Sequence, residues 1–253
     1  DQPIPIEALG LPVNVEKFAH LDRGLILITG ATGSGKSTTM AALIDIINRK
    51  GKKHIVTIED PIEFVHHNRG CLITQREVGL HTESFSDALR AALREDPDII
   101  LVGEMRDLET TQLTLSAAET GILVFATVHT NSAVKTIDRV VDVFPVDEQE
   151  HVRIMLSVSL KGVISQQLLP TADGKGRIPA VELMICNSAI SNVIREGKTH
   201  QLTSLIQGSK KEGMQTMDQA LIELVRADTI TADMAMSRSV DRGYVKRVLT
   251  GER

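Results

Sequence analysis

The sequence predicts an α/β domain built on a mostly parallel sheet, followed by a smaller all-helical domain. Short apolar runs alternate with segments of helical periodicity between residues 25 and 129, which is typical of parallel strands joined by helices. After Asn187 the strand-like runs stop and only helical patterns remain. We therefore predict a core at 22–187 and a helical domain at 188–253, with a linker at 1–21.

The first half of the chain divides into short strands and longer helices. The strands are predicted at Leu25–Thr29, His54–Glu59, Cys71–Arg76 (at a sheet edge), Asp98–Val102 and Ile122–His129. The helices are predicted at Lys36–Lys50, Ser84–Glu95 and Leu108–Thr120, after the end of a short helix at Glu16–Leu21. Ser84 is a suitable N-cap, and glycine or proline follows each of the three long helices.

The second half begins with a predicted β-hairpin and continues as helices. Two strand-like runs, Val163–Leu169 and Ile178–Cys186, flank the turn residues Asp173-Gly-Lys-Gly. We expect them to form an antiparallel pair that extends the sheet. The helices are predicted at Ser188–Arg195, Gln201–Gln207, Met217–Val225 and Thr231–Ser237.

A phosphate-binding loop is predicted between the first strand and the first long helix. The sequence Gly30-Ala-Thr-Gly-Ser-Gly-Lys-Ser37 fits the pattern G-x₄-G-K-S, in the strand-to-helix context that the pattern requires. Backbone N–H groups of such a loop surround the phosphates, and the helix N-terminus adds positive potential. Lys36 is placed for the β- and γ-phosphates and the Ser37 hydroxyl for Mg²⁺. The predicted site for ATP and Mg²⁺ comprises Gly30, Ala31, Thr32, Gly33, Ser34, Gly35, Lys36, Ser37 and Thr38.

Acidic residues follow two of the predicted strands. Glu104 ends the apolar run Ile99-Ile-Leu-Val-Gly, a Walker B pattern, and is the predicted second Mg²⁺ ligand and catalytic acid. Glu59, Asp60 and Glu63 form a second acidic cluster at the end of the preceding strand. Because the carboxyl ends of parallel strands meet at the ligand crevice, Glu63 is our candidate for orienting or deprotonating the attacking water. The alternative is a capping and loop role for this second cluster.

Two other kinds of side chain are candidates for contacting the γ-phosphate. His129 ends a strand in Thr127-Val-His-Thr130 and is a candidate sensor of that phosphate, with a structural histidine as the alternative. Arginines from the same or a neighbouring subunit stabilise the charge of a transferred phosphoryl group. Arg94 and Arg106 are our catalytic candidates. They belong to a larger set of candidate arginines, for each of which the alternative is a surface ion-pair role: Arg76, Arg90, Arg94, Arg106 and Arg139.

The composition argues against several other classes of protein. The 253 residues carry a net charge of −5, with five Phe, one Tyr and no Trp. Direct nucleic-acid binding is therefore not expected, because the net charge is negative and rings for base stacking are scarce. Cys71 and Cys186 do not form a CxxC pair, which excludes a disulfide framework and a Cys₄ zinc site. No apolar run is long enough for a transmembrane helix.

Taken together, these motifs resemble those of the secretion-type ATPases of type II secretion, type IV pilus and type IV secretion systems. Beside the phosphate-binding loop, Val56–Glu63 resembles the Asp box of that family. Leu89–Arg106 resembles its Walker B block, and Thr120–Thr130 its His box. The four blocks occur in the family's order, and the resemblance runs from about Leu9 to Thr250.

Within that family the chain is most similar to the pilus retraction branch. No cysteine lies between residues 72 and 185, where the assembly and secretion branches usually carry a tetracysteine zinc element. The retraction branch has a motif close to Ala-Ile-Arg-Asn-Leu-Ile-Arg-Glu, and Ala189–Glu196 differs from it only at Ser191 and Val193. The matching residues are Ala189, Ile190, Asn192, Ile194, Arg195 and Glu196.

The resemblance implies a RecA-like core that hydrolyses ATP within a homo-hexameric ring. It implies a motor for type IV pilus retraction and twitching motility at the cytoplasmic face of the inner membrane. Its partner there would be an inner-membrane platform protein, with only peripheral membrane association and no direct nucleic-acid contact. The family's PAS-like N-terminal domain would need about 100 residues before the loop, and 29 precede Gly30. We therefore expect that domain to be missing from this sequence.

Several alternatives remain at this stage. A pilus-assembly or type II secretion ATPase would share most of these motifs. A nucleic-acid motor of the RecA or helicase type would be stimulated by DNA. A small-molecule kinase would need an acceptor pocket and a lid, which the sequence does not indicate. A nucleotide-gated structural subunit would not need the acidic residues at the strand ends.

Overall fold

The computed structural model describes residues 2–251 of the chain. Within them, seven strands form one sheet in the order β3-β2-β4-β5-β1-β6-β7. All neighbouring strands are parallel except β6 and β7, which form an antiparallel hairpin. The strands are β1 Gly24–Thr29, β2 His54–Glu59, β3 Leu72–Glu77, β4 Ile99–Val102, β5 Leu123–Val128, β6 Leu160–Pro170 and β7 Arg177–Ile185. The predicted α/β architecture, with the third strand at an edge, is confirmed.

Helices connect the strands and then follow the sheet. They are α1 Lys36–Lys50, α2 Phe85–Ala92, α3 Leu108–Glu119, α4 Ala133–Asp142, α5 Gln149–Ser159, α6 Ser188–Arg195, α7 Leu202–Gly208, α8 Met217–Arg226, α9 Ala232–Arg238 and α10 Arg242–Thr250. Short 3₁₀ helices lie at Ile6–Ala8, Val13–His20, Thr199–Gln201 and Lys210–Glu212. No element was predicted at α4, α5 and α10, whereas the other helices lie where they were predicted.

The core occupies both faces of the sheet, because successive residues of each strand point to opposite sides. In β1, Leu25 and Leu27 belong to the cluster on one face and Ile26 and Ile28 to the cluster on the other. All six residues of β1 are buried. This central position fixes the loop that follows β1 between the ends of β5 and β6.

The helices after β7 pack against the sheet and its helices. Ile190, Val193 and Ile194 of α6 are buried in the same cluster as Leu156 of α5. A buried carboxylate, Glu182 of β7, accepts hydrogen bonds from the first N–H groups of α4 and α8, at 2.6 and 3.3 Å. Burial raises the pKa of this carboxyl group. The boundary near residue 187 stays a prediction.

No helix within residues 2–251 combines the length and the apolar character that crossing a membrane requires.

Candidate active site

The predicted phosphate-binding loop joins the buried end of β1 to the first turn of α1. Lys36 and Ser37 are the first two residues of α1, so their N–H groups belong to the helix N-terminus, which favours anions. Gly30 has φ 145°. A Cβ atom there would lie 2.4 Å from the carbonyl oxygen of Gln166 and 2.4 Å from the hydroxyl of Ser34. The loop therefore requires glycine at its first position.

The Lys36 ammonium lies within the loop and faces acidic groups. Its Nζ donates to the carbonyl oxygens of Gly30 and Ala31, at 2.9 and 3.0 Å. Burial lowers the pKa of Lys36, although the charges of Glu104 and Glu63 oppose this shift. The cation is thus held in the concave side of the loop, close to both predicted catalytic acids.

Gln166 of β6 is hydrogen-bonded to the phosphate-binding loop, and this role was not predicted from the sequence. Its Nε2 donates to the carbonyl oxygen of Ser34 at 2.7 Å, and its Oε1 accepts from the Thr39 hydroxyl at 3.0 Å. Gln166 and Thr39 are both about 2% exposed. One buried amide therefore connects the loop to the first turn of α1.

Glu104 is held between the ends of β2 and β5. The N–H of Gly103 donates to the Ile58 carbonyl at 2.7 Å, and the N–H of Met105 donates to the Thr127 carbonyl at 3.0 Å. These bonds fix the backbone on both sides of Glu104, and the predicted position at a strand end is confirmed.

The Glu104 carboxylate contacts two of the predicted catalytic side chains. Its Oε2 lies 2.6 Å from Arg106 Nη2, and its Oε1 lies 3.0 Å from His129 Nε2. Burial alone would raise the pKa of Glu104. The hydrogen bonds and positive charge of Arg106 and His129 outweigh that effect and hold the pKa below its usual value. Glu104 is therefore a carboxylate at neutral pH.

Glu63 lies in the loop between β2 and β3, on the same side of the sheet as Glu104. Both acids line a cavity of about 60 Å³, together with Ser37 of α1 and Glu59 at the end of β2. Burial raises the pKa of Glu59, which accepts hydrogen bonds from Thr57 and from Gln75 of β3. Three elements that are far apart in sequence thus bring oxygen ligands to one small space.

The remaining candidate arginines lie elsewhere or pair with other acids. Arg94 is exposed just beyond α2, and its side chain forms no hydrogen bond or ion pair with any residue in the 2–251 range. Arg76 pairs with Glu95, and Arg90 with Glu109. Of the arginine candidates, the structure therefore brings Arg106 to Glu104, and the catalytic role of Arg94 stays a prediction.

Two larger cavities flank the phosphate-binding loop. One, of about 420 Å³, is lined by Gly30–Ser34 and by Arg238 at the end of α9. The other, of about 510 Å³, lies beside Gly35 and Thr38. Its walls carry both apolar and basic side chains: Leu9, Leu11, Leu168, Lys175 and Arg177. A phosphate chain on the loop would have an amphipathic cavity next to it.

The predicted retraction motif forms α6 and has two different sides. Ile190, Val193 and Ile194 are buried, whereas Ala189, Asn192, Arg195 and Glu196 are exposed. Arg195 Nε donates to the Ser157 hydroxyl of α5 at 3.4 Å. Glu196 accepts from Asn192 at 3.1 Å and pairs with Lys198 at 2.7 Å. The exposed side of this motif is therefore polar and carries charge of both signs.

Residues 12–236 match the family described as Type II/IV secretion system protein, and the chain belongs to that family. The resemblance predicted from the four sequence blocks is thereby confirmed. Among characterised relatives, the chain is 56% identical to a twitching motility protein of Neisseria gonorrhoeae over 236 residues. It is also 56% identical, over 236 residues, to the type IV pilus retraction ATPase PilT of Pseudomonas aeruginosa.

A solved structure of the pilus retraction motor PilT with bound ADP has the same fold, with a TM-score of 0.92 and 54% identity. That comparison covers 97% of this chain and 70% of the solved one. The matches to the Neisseria and Pseudomonas relatives each cover 93% of this chain, and 63% and 68% of those proteins. The chain thus spans about two thirds of the length of these relatives.

Proposed function

We propose that this chain hydrolyses ATP at the loop between β1 and α1, and that the reaction powers retraction of a type IV pilus. One observation carries the chemical part of the proposal. Ser37 at the start of α1 and the ionised Glu104 beyond β4 line one small cavity, and Lys36 lies within the electrostatic reach of Glu104. Phosphoryl transfer needs this combination of cation, anion-binding loop and acid.

The loop binds the phosphates through its own geometry. The N–H groups at the start of α1 face the β-phosphate, as in other loops of this pattern. Lys36 exchanges its bonds to the Gly30 and Ala31 carbonyls for bonds to phosphate oxygens. The solved structure of the relative contains bound ADP, which supports nucleotide binding by this chain. We assign the cavity of about 510 Å³ to the ribose and base, because its walls are partly apolar.

The residues present fit a Mg²⁺ ion that accompanies ATP. The Ser37 hydroxyl and the Glu104 carboxylate are hard oxygen ligands, and both line the cavity of about 60 Å³. Such an ion would neutralise negative charge on the phosphates.

Three side chains around that position have separate roles in the proposed reaction. Glu63 orients the attacking water, because it lines the same cavity as Glu104 from the opposite loop. His129 bonds to Glu104 and senses the γ-phosphate through that contact. Arg106 stabilises charge that develops on the phosphoryl group.

The family and the relatives support the proposed role in pilus retraction. A twitching motility protein and a pilus retraction ATPase are each 56% identical to this chain. We propose a hexameric ring that works at the cytoplasmic face of the inner membrane on a pilus platform protein. The exposed polar side of α6, with Arg195 and Glu196, is the part that we assign to retraction.

Replacing both Arg195 and Glu196 by alanine is expected to retain most ATPase activity and to abolish pilus retraction. Both side chains are exposed, Arg195 as the last residue of α6 and Glu196 directly after it, and neither lines the cavities described beside the phosphate-binding loop. The phosphate chemistry therefore does not depend on them. Hydrolysis is measured with purified protein, and retraction is measured as twitching of the parent organism.

The alternative is that this pair only stabilises the end of α6, where a basic residue contributes about 0.3–1 kcal/mol. A matched control replaces Lys210 and Glu223 by alanine, since they form an exposed ion pair of 3.3 Å between other helical segments. Both doubly substituted proteins lose a similar small amount of stability under the alternative, and both strains twitch. Normal twitching of the Arg195 and Glu196 strain would remove the retraction assignment from α6.

A further inference from the structure

The position of Glu63 depends on the loop 61–70, which crosses from β2 to the edge strand β3. Glu63 is exposed, so close packing does not fix it. The neighbouring backbone is fixed instead by hydrogen bonds to the side chains of β3. These contacts contribute to the placement of Glu63 relative to Glu104.

Gln75 of β3 holds the backbone that follows Glu63. Its Nε2 donates to the Phe64 carbonyl at 2.9 Å, and its Oε1 accepts from the His66 N–H at 2.8 Å. The same Nε2 lies 3.2 Å from Oε1 of Glu59, which lines the cavity shared by Glu63 and Glu104. One amide therefore connects the loop to the acid at the end of β2.

Glu77 holds the backbone that precedes Glu63. Its Oε2 accepts from the N–H of Ile62 at 2.9 Å. Because Gln75 and Glu77 are two residues apart on one strand, they lie on the same face of the sheet. Together they hold the backbone before Glu63 at Ile62 and after it at Phe64 and His66.

A separate contact holds the far end of the same loop. Asn48 of α1 is 1% exposed, and its Nδ2 donates to the His67 carbonyl at 2.8 Å. Its Oδ1 accepts from the N–H groups of Arg69 and Cys71, at 3.1 and 3.4 Å. The loop therefore stays attached to α1 when the bonds to Gln75 are removed.

We propose that Gln75 is a positioning residue for the reaction: it places Glu63 for the attacking water by holding Phe64 and His66. This inference rests on the proposed role of Glu63 in hydrolysis. Gln75 itself does not line the cavity that Glu63 and Glu104 share. Gln75 therefore acts on the reaction through a residue that it holds, and the inference assigns that role to Glu63.

The test is a double-mutant cycle between Gln75→Met and Glu63→Gln. Methionine keeps the length of the side chain and removes all three hydrogen bonds. The kcat of Gln75→Met is expected to fall about 10- to 100-fold, since small displacements of a catalytic group have effects of this size. The KM for ATP should stay within about twofold, because the phosphate-binding loop is untouched. In the Glu63→Gln background, Gln75→Met should produce no further loss.

Two further variants distinguish positioning from simple support of the loop. Asn68→Ala is the matched control, because Asn68 of the same loop accepts from the Ile73 N–H of the same strand, at 3.0 Å. Its kcat should equal that of the unmodified protein. Gln75→Glu keeps the acceptor for the His66 N–H and loses the donor to the Phe64 carbonyl, so its kcat should also fall. This variant serves as the test if Gln75→Met is too unstable to assay. Circular dichroism and ATP titration check folding and binding in each variant.

The outcomes separate the inference from the function on which it rests. A normal kcat for Gln75→Met beside an impaired Glu63→Gln would overturn the positioning role alone. An equal loss in both backgrounds, or a raised KM with unchanged kcat, would overturn it as well. Normal turnover by Glu63→Gln would remove Glu63 from the proposed mechanism, and the role of Gln75 with it.

Discussion

The Glu104→Gln protein is expected to bind ATP normally and to hydrolyse it at least about 10²-fold more slowly. Glutamine keeps the size of the side chain, but its single amide oxygen can replace only one of the two carboxylate oxygens that contact Arg106 and His129. It removes the negative charge that the two partners hold in place. Binding is retained because Lys36 and the start of α1 remain unchanged, whereas stabilisation of the transition state is lost.

The measurement compares ATP affinity by titration with the rate of phosphate release at saturating ATP. Glu109→Gln is the matched control, since Glu109 lies at the start of α3 and pairs with the exposed Arg90. That variant should hydrolyse ATP at the normal rate. Unimpaired steady-state hydrolysis by Glu104→Gln would remove Glu104 from the mechanism.

The Gly30→Ala protein is expected to lose both stability and nucleotide binding. The added Cβ would lie 2.4 Å from the Gln166 carbonyl oxygen, a backbone atom that cannot rotate away. Backbone strain at φ 145° adds about 1–3 kcal/mol, and overpacking adds a similar amount of roughly 1–3 kcal/mol. Relief of this overlap moves the loop away from β6, so the N–H groups no longer converge on the phosphates.

Denaturant unfolding and ATP titration measure the two effects of Gly30→Ala. The control is Gly174→Ala in the β6–β7 turn, where φ is 68° and nothing lies within 4 Å of the added Cβ. It should lose only the cost of the left-handed backbone, about 1–2 kcal/mol. Equal losses of stability in the two proteins would contradict the close approach of β6 to the loop.

The strands β1, β2, β4 and β5 were predictable because each is a short run rich in apolar residues. The helices α4 and α10 carried a signal as well. In α4, Ala133, Ile137, Val140 and Val141 are buried at helical spacing after the N-cap Ser132. In α10, Asp241 is the N-cap and Val245 is buried. These patterns are present in the sequence, although no element was predicted for either segment.

The candidate site was predictable only where its residues are close in sequence or end a strand. The loop at 30–37 is contiguous, and Glu104 and His129 end neighbouring strands, so topology alone brings them together. Gln166 lies 132 residues beyond Ser34, to which it donates. Side-chain amides that bond to distant backbone groups follow no periodic pattern, so the roles of Gln75 and Gln166 emerged only from the structure.

Phosphate release from ATP by the purified protein tests the central claim most directly, with excess Mg²⁺, with EDTA and in the Lys36→Ala variant. The account predicts steady hydrolysis that EDTA abolishes, because Ser37 and Glu104, which line one cavity, are the proposed ligands of a cation bound with ATP. It also predicts loss of both ATP binding and turnover in Lys36→Ala, whose ammonium lies within the loop. Hydrolysis that persists unchanged in Lys36→Ala, or nucleotide binding without any Mg²⁺-dependent turnover in the unmodified protein, would contradict the account.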